Sequence, residues 1–310
     1  MILNRIKQAR QNRIFARLQA RGQKRFWMAL LFPPVFMGSF LYAIRWSEQA
    51  LSFDPEPFIP GQTWRLPEGG EEVSFLNRDR QRLNGWLISS ESQPALATII
   101  YFHGKSGNIS GSGWLGAKLA SLGFDVLLFD YRGYGKSEGQ IMDEQEMYAD
   151  ADAAYDYVVN ERRVSPERVI LYGHSLGTTA AVDLASRRRC SAVILESGLS
   201  SASDMASSIL PWVPRWLHAL GKNRFESASK LERVYSPVLV THGEPDGIVP
   251  TEQGRVLFSS AREPKRLMIF PGAGHDVSGF VGDMYFSEIA KFIQDALENG
   301  KGLFQKLHSK

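Results

Sequence analysis

The stretch Ile170-Leu-Tyr-Gly-His-Ser-Leu-Gly-Thr-Thr179 runs from apolar residues directly into a serine framed by two glycines. The spacing Gly173-x-Ser175-x-Gly177 is that of a nucleophile elbow, a sharp strand-to-helix turn that exposes a serine Oγ. The two glycines meet a steric requirement, because the strand and the helix approach too closely for a Cβ atom. We therefore expect Ser175 at the tip of a strained turn between a buried strand and a helix.

Short, nearly continuous apolar runs recur before and after this stretch. They are Ala97-Thr-Ile-Ile-Tyr-Phe102, Asp125-Val-Leu-Leu-Phe129, Val169-Ile-Leu-Tyr172, Ala192-Val-Ile-Leu195, Pro237-Val-Leu-Val240 and Arg266-Leu-Met-Ile-Phe270. Such runs are typical of central parallel strands that are covered on both faces. Helix-like segments, such as residues 143–160 and 176–187, lie between most of them. The alternation predicts an α/β fold with a mostly parallel sheet, helices on both faces and ligands at the carboxyl ends of the strands.

Two segments depart from this alternation. Residues 72–76 and 83–88 alternate between apolar and polar side chains, which predicts an antiparallel hairpin at the sheet edge. Residues 200–236 include Pro211-Trp-Val-Pro-Arg-Trp-Leu217 and predict a small helical cap. The cap aromatics either line an acyl pocket or pack the cap onto the sheet, and we favour packing for most of them.

The charges are unevenly distributed along the 310 residues. The first 25 residues carry eight Lys or Arg and no acidic residue, whereas the rest of the chain has 28 basic and 33 acidic residues. A body with this balance gives no reason to expect nucleic-acid binding, which requires a basic face on the folded domain. The lone Cys190 excludes an intramolecular disulfide, and no spacing of His and Cys indicates a metal site.

The amino-terminal region predicts a membrane anchor. Residues 26–44 contain no charge, and Trp27 and Trp46 lie near the two ends of this stretch. At about 1.5 Å per residue, a helix of this length reaches about 28 Å, which matches the hydrocarbon core of a bilayer. We assign residues 26–46 to a transmembrane helix and residues 1–25 to a basic cytoplasmic segment, which places the catalytic body on the extracytoplasmic side. A cleaved signal peptide and a monotopic helix are the alternatives.

The remaining boundaries follow from composition. Residues 47–70 carry four prolines and are interpreted as an extended linker from the membrane to the body. The body is assigned to residues 71–298, and residues 299–310 form a short basic tail. We therefore expect one catalytic domain with an appended anchor.

Ser175 needs a histidine base, and that imidazole needs an acid to fix its tautomer and stabilise its charge. In the elbow motif set the chain order is Ser, then Asp or Glu, then His. Only His275 follows a late strand through a short glycine-rich loop, in Phe270-Pro-Gly-Ala-Gly-His275. Asp246, just after the preceding strand, is the expected acid, and Glu196 is the alternative.

The segment His103-Gly-Lys-Ser-Gly-Asn108 closes the first central strand. A glycine-rich turn at this place can direct a backbone N–H at a developing oxyanion, and the residue after the nucleophile supplies a second N–H. The expected donors are the amides of Lys105 and Leu176. We interpret His103, with Gly104, as a structural hydrogen-bonding element of the loop, because a base must follow the acid in the chain.

Four stretches together resemble the α/β-hydrolase superfamily from about residue 71 to residue 298. They are His103-Gly-Lys-Ser-Gly-Asn108, Phe129-Asp-Tyr-Arg-Gly-Tyr-Gly-Lys-Ser-Glu-Gly139, Gly173-His-Ser-Leu-Gly177 and the short cap. They are most similar to the membrane-associated α/β-hydrolase-domain-containing proteins, which include hydrolases of lysophospholipids and of protein palmitoyl thioesters. The resemblance implies a Ser175, Asp246 and His275 triad and no cofactor. The chain departs from that pattern at Lys105, often a small neutral residue there, and at Asp276-Val277, where relatives commonly carry Asn-Asp.

These observations predict a membrane-anchored serine hydrolase that cleaves lipid-like or other carboxylic esters through an acyl-enzyme. The alternatives are an acyl-protein thioesterase, a serine peptidase and a non-catalytic binding protein with a hydrolase fold. Haloalkane and epoxide hydrolases are disfavoured, because they need Asp at the position of Ser175. The expected partners are an ester substrate and a membrane, with no metal and no nucleic acid.

Overall fold

The computed structural model describes residues 38, 42, 48–61, 63–214 and 221–308. The chain divides into two compact units, Met1–Glu48 and Gln49–Lys310, and the fold below is that of the second unit. Its strands are β1 (Asp54–Pro55), β2 (Gly70–Leu76), β3 (Arg82–Ile88), β4 (Ala97–Phe102), β5 (Ser106–Gly107), β6 (Phe124–Phe129), β7 (Val169–His174), β8 (Ala192–Glu196), β9 (Val238–Glu244) and β10 (Lys265–Pro271). Its helices are α1 (Gly113–Ser121), α2 (Glu144–Asp156), α3 (Gly177–Ala185), α4 (Ala202–Ile209), α5 (Ser227–Leu231), α6 (Thr251–Ser260), α7 (Val277–Val281) and α8 (Asp283–His308).

Eight of the strands form one sheet in the order β10-β9-β8-β7-β4-β6-β3-β2. The six strands from β10 to β6 are parallel, whereas β3 runs antiparallel to both β6 and β2. The predicted α/β fold, with a mostly parallel sheet and an antiparallel hairpin at one edge, is confirmed. The carboxyl ends of β4, β7, β8, β9 and β10 therefore lie along one edge of the sheet.

The central strands are apolar because both faces of the sheet are covered. All six residues of β4 are buried, and Val169–Tyr172 at the start of β7 are fully inaccessible to solvent. One core contains Ile100, Leu171 and the inward side of α3, and the second contains Ile99 and residues of α8. Burial of alternate side chains on opposite faces is why these strands read as continuous apolar runs.

The segment predicted as an extended linker, residues 47–70, packs in part against the body. Phe53 is buried, and the two residues of β1 pair in parallel with those of β5. Residues 49–52 are helical rather than extended, and the buried Phe53 side chain holds the backbone against the domain. At the other end, α8 runs from Asp283 to His308, across the predicted boundary at residue 298.

The predicted transmembrane helix, residues 26–46, lies outside the described residues apart from positions 38 and 42. Across the described portion of the chain, no helix combines the length and the apolar composition needed to cross a bilayer. The predicted cap is described through residue 214 and again from residue 221, and it contains α4 and α5.

Candidate active site

Ser175 occupies the sharp turn between β7 and α3. Its φ is +53°, in the left-handed region that non-glycine residues rarely adopt, so the turn stores backbone strain. The Ser175 N–H donates to the carbonyl of Glu196 on the neighbouring strand at 2.8 Å, and its carbonyl accepts from Thr178 Oγ1 at 2.6 Å. These bonds hold the serine in the strained conformation.

The two glycines beside Ser175 are required by close backbone approach. A Cβ on Gly173 would lie 2.5 Å from Thr178 Cα, and a Cβ on Gly177 would lie 2.0 Å from the carbonyl oxygen of Phe102. Both distances are far inside van der Waals contact with backbone atoms, which cannot move aside cheaply. The steric reason expected from the sequence is therefore present at both positions.

The structure brings Ser175, His275 and Asp246 into one hydrogen-bonded chain. His275 Nε2 lies 2.9 Å from Ser175 Oγ, and His275 Nδ1 lies 2.8 Å from Asp246 Oδ2. Because an ionised carboxylate only accepts, Nδ1 carries the proton and Nε2 is left as the acceptor for the serine O–H. This is the arrangement in which an imidazole can remove a proton from a hydroxyl nucleophile.

Asp246 is held in its charged form. Burial disfavours that charge, but hydrogen bonds from His242 and His275 and from the N–H groups of Ile248 and Val249 together hold the Asp246 pKa well below its usual range. The two N–H groups bind Oδ1 at 2.8 and 2.9 Å, which leaves Oδ2 for the histidines. The carboxylate can therefore orient His275 and stabilise its positive charge.

His242 was not assigned a functional role from the sequence, yet it contacts the acid. It is fully buried on β9, with Nε2 3.2 Å from Asp246 Oδ2 and 2.9 Å from the carbonyl of Val249. Both neighbours are acceptors, so Nε2 carries the proton and donates to them. Its position four residues before Asp246 was the only available signal, and only the fold of the intervening loop shows that they meet.

Glu196, the alternative acid, does not face His275 but joins a buried polar cluster beneath the site. Its Oε1 accepts the N–H of Ser278 at 2.7 Å, and its Oε2 accepts the Tyr172 hydroxyl at 2.5 Å. Tyr172 in turn lies 2.9 Å from the hydroxyl of Tyr285. One residue thus holds both the nucleophile, through its carbonyl, and the loop after the histidine, through its carboxylate.

The loop after β4 lies beside the nucleophile. A Cβ on Gly104 would be 3.4 Å from Ser175 Cβ, so the next peptide group, which carries the Lys105 N–H, is close to the serine. The N–H groups of Lys105 and Leu176 have no hydrogen-bond partner among the described residues. Leu176 precedes the first residue of α3, where free N–H groups and the helix dipole favour negative charge.

His103 forms a hydrogen bond with this loop. It is buried, and its Nδ1 lies 2.8 Å from the carbonyl of Gly104, to which it donates. Burial lowers the pKa of His103 to about 4, so the ring is neutral at physiological pH. His174 Nε2 lies 3.4 Å from the carbonyl of His275. Within the described part of the chain, no group of His, Cys, Asp and Glu has the arrangement of a metal site.

A strained serine at the carboxyl edge of a mostly parallel sheet, facing a histidine and a carboxylate, defines an α/β hydrolase. Comparisons with known proteins agree. The family described as serine aminopeptidase, S33, matches residues 93–230. Protein Rv2307c of Mycobacterium tuberculosis is 34% identical over 259 residues, covering 83% of this chain and 91% of the relative. YfhR of Escherichia coli is 35% identical over 242 residues, covering 74% of this chain and 83% of the relative.

A mammalian relative is similar over the same body. Alpha/beta hydrolase domain-containing protein 17C of Mus musculus is 32% identical over 230 residues, covering 74% of this chain and 69% of the relative. Among solved structures, the Pyrococcus furiosus esterase Pf2001 superposes with a TM-score of 0.63 at 19% identity, covering 79% of this chain and 98% of the esterase. This chain belongs to the α/β-hydrolase superfamily, and its structural neighbours include esterases.

Proposed function

We propose that this chain is a serine hydrolase that cleaves carboxylic esters, with Ser175 as nucleophile, His275 as base and Asp246 as the acid that orients it. The observation that carries the proposal is the continuous hydrogen-bonded chain from Ser175 Oγ through His275 to Asp246, with distances of 2.9 and 2.8 Å. Its support is that each residue comes from a different loop at one sheet edge, in the order of the elbow motif set.

The geometry accommodates an acyl-enzyme mechanism. Ser175 Oγ attacks the ester carbonyl carbon while His275 Nε2 takes the serine proton, and the N–H groups of Lys105 and Leu176 stabilise the oxyanion. The imidazolium then gives its proton to the leaving alcohol as the carbon–oxygen bond breaks, which leaves an acyl-serine. Water attacks this intermediate with His275 again acting as base, and the acid departs with Ser175 restored.

We propose lipid-like esters as the substrates and a membrane as the place of action. The support is the uncharged stretch of residues 26–44 behind eight cations, which predicts an anchor and puts the catalytic body on the extracytoplasmic side. Resistance of the full-length chain to alkaline extraction from membranes tests the anchor. Digestion of the body by protease added from the extracytoplasmic side tests the orientation, and protection there contradicts it.

Fluorophosphonate labelling of the full-length protein tests the triad. We expect wild type to be labelled and Ser175→Ala and His275→Ala to lose labelling, while Ser186→Ala retains it. Ser186 is a matched control because its hydroxyl donates to a local helix carbonyl, that of Asp183. A folded wild-type protein that resists labelling contradicts the proposal and favours a binding protein with this fold.

Three matched substrates separate the chemical classes. A p-nitrophenyl ester series of increasing acyl length, the corresponding acyl thioesters and aminoacyl p-nitroanilides report esterase, thioesterase and aminopeptidase activity respectively. We expect the ester series to give the highest kcat/KM, rising with acyl length. The peptidase outcome is a second candidate, because the family profile that matches residues 93–230 is described as a serine aminopeptidase.

A further inference from the structure

The residues just after Glu48 lie against the loop that supplies the first oxyanion donor. We name residues 51–58 the strap. The Asp54 N–H donates to the carbonyl of Lys105 at 2.9 Å, and the Glu56 N–H donates to the carbonyl of Gly107 at 3.3 Å. Lys105 also reaches back, because its Nζ donates to the carbonyl of Leu51 at 3.1 Å. The strap and this loop thus form a short parallel ladder.

The strap is itself fixed on its other side. The Glu56 carbonyl accepts from Asn108 Nδ2 and from the Gly135 N–H, both at 3.0 Å, and the Phe58 N–H donates to the Gly135 carbonyl at 2.7 Å. Phe53 is buried, with its ring 6.2 Å from that of Phe225 in an edge-on arrangement. Bonds on both edges and a buried aromatic anchor make the strap a rigid support.

Tyr134 joins the strap to the loop. The hydroxyl of this fully buried residue donates to the Lys105 carbonyl at 2.6 Å. The Tyr134 hydroxyl oxygen also accepts the Asp54 N–H at 3.3 Å. The Lys105 carbonyl therefore has two donors, one from the strap and one from Tyr134. A carbonyl with two lone pairs accepts both, which fixes the direction of its peptide group.

The two peptide groups flanking the Lys105 Cα atom are consequently both held. The preceding peptide group consists of the Gly104 carbonyl and the Lys105 N–H, and His103 Nδ1 donates to this carbonyl at 2.8 Å. The following one is held by Tyr134 and the Asp54 N–H. Lys105 thus has little freedom in φ or ψ, and its N–H points in one direction.

We propose that Tyr134 and the strap main chain at Asp54 are positioning elements for the oxyanion donor at Lys105. The inference rests on the proposed function, because it assigns a purpose to that donor. Preorganised donors stabilise the charge that develops in the transition state without reorganising during reaction. Loosening the strap therefore weakens transition-state binding and leaves the binding of neutral ester largely unchanged.

Two variants of the full-length protein test this from opposite sides. Tyr134→Phe removes the hydroxyl, and Asp54→Pro removes the N–H and sets a ring carbon against the Lys105 carbonyl. Tyr155→Phe is matched to the first, because its hydroxyl also donates to a backbone carbonyl at 2.6 Å, that of Arg189. Asp54→Ala is matched to the second, because it retains the N–H.

The readouts are kcat and KM for a p-nitrophenyl ester and the inhibition constant of a trifluoromethyl ketone, which Ser175 converts to a hemiketal oxyanion. We expect Tyr134→Phe and Asp54→Pro to lower kcat about tenfold. This is less than the loss of kcat of about 10²–10³-fold that follows removal of an oxyanion donor, because the Lys105 N–H is still present. The inhibition constant rises in parallel, KM changes by less than about twofold, and both controls stay within about twofold of wild type.

Unchanged kcat and ketone affinity in both variants overturn the proposal. A fall in kcat that accompanies a lower unfolding midpoint, with ketone affinity unchanged, also overturns it, since it identifies a purely structural role. Failure of the proposed function is a different result, in which the wild-type protein neither reacts with a fluorophosphonate nor hydrolyses the ester.

Discussion

The buried pair of His103 and Asp130 predicts that the folded protein loses stability as the pH rises above about 6.5. His103 Nε2 lies 3.8 Å from Asp130 Oδ1, and Oδ1 accepts the N–H of Ile109 at 2.8 Å. Neither His103 Nε2 nor Asp130 Oδ2 has a hydrogen-bond partner among the described residues. Burial raises the pKa of Asp130 to about 8 and lowers that of His103 to about 4. The folded pair therefore keeps one proton from about pH 4 to about pH 8.

Whether stability rises or falls with pH depends on how many protons the same two groups bind in the unfolded chain. There the carboxyl group titrates near pH 3.9 and the imidazole near pH 6.5. Between about pH 4 and 6.5 the unfolded pair also holds one proton, on the histidine, so these two groups contribute no pH dependence. Between about pH 6.5 and 8 the unfolded pair has lost its proton and the folded pair has not. Stability then falls with rising pH, by about 2 kcal/mol over about 1.5 pH units.

Urea unfolding at about pH 6 and about pH 8, followed by circular dichroism, measures this loss. Asp130→Asn removes the retained proton, so only His103 then binds protons differently in the two states, and the fall should become a slight rise between these two pH values. Asp125→Asn is the control, because Asp125 Oδ1 also accepts a backbone N–H, that of Ser90 at 2.8 Å, and this variant should keep the wild-type dependence. Equal pH dependence in wild type and Asp130→Asn would refute the reasoning.

Three further outcomes are expected. Gly177→Ala puts a Cβ 2.0 Å from a backbone oxygen and should lower the free energy of unfolding by about 3 kcal/mol. In the control Gly111→Ala the new Cβ has nothing within 4 Å, so the free energy of unfolding should change by less than about 0.5 kcal/mol. Urea unfolding of the two variants and of wild type measures both changes. Asp246→Asn should lower kcat for ester hydrolysis about 10⁴-fold, because the imidazole loses the acceptor that fixes its tautomer. Glu196→Ala removes the carboxylate that accepts both the buried Ser278 N–H and the Tyr172 hydroxyl, and it should lower the free energy of unfolding by about 3 kcal/mol, a value that a wild-type urea midpoint would contradict.

The parts of the fold that could be predicted are those with a local signature. Six apolar runs correspond to central strands because burial on both faces leaves no place for polar side chains. Ser175, Asp246 and His275 could be selected because each follows a strand, and parallel strands bring their carboxyl ends to one edge. The order of strands along the chain therefore already indicated which residues meet at the carboxyl edge of the sheet.

The parts that could not be predicted depend on contacts between distant residues. The strap lies in a segment whose prolines indicate extended backbone, but nothing local shows that the Asp54 N–H donates to the carbonyl of Lys105, 51 positions later. His242 and Tyr134 read as ordinary buried residues, and only the paths of the loops place the first on Asp246 and the second on the Lys105 carbonyl. Glu196 had the correct chain order for an acid, yet its carboxylate turns toward Tyr172.

The double attachment of Glu196 has a consequence for thermal motion. Its carbonyl holds the N–H of Ser175, and its carboxylate holds the N–H of Ser278, three residues after His275. Because both bonds start from one residue, we expect a displacement of β8 to move the serine and the histidine loop together rather than independently. The separation of Ser175 Oγ and His275 Nε2 is then expected to vary less than the position of either atom, which preserves the contact needed for proton transfer during thermal motion.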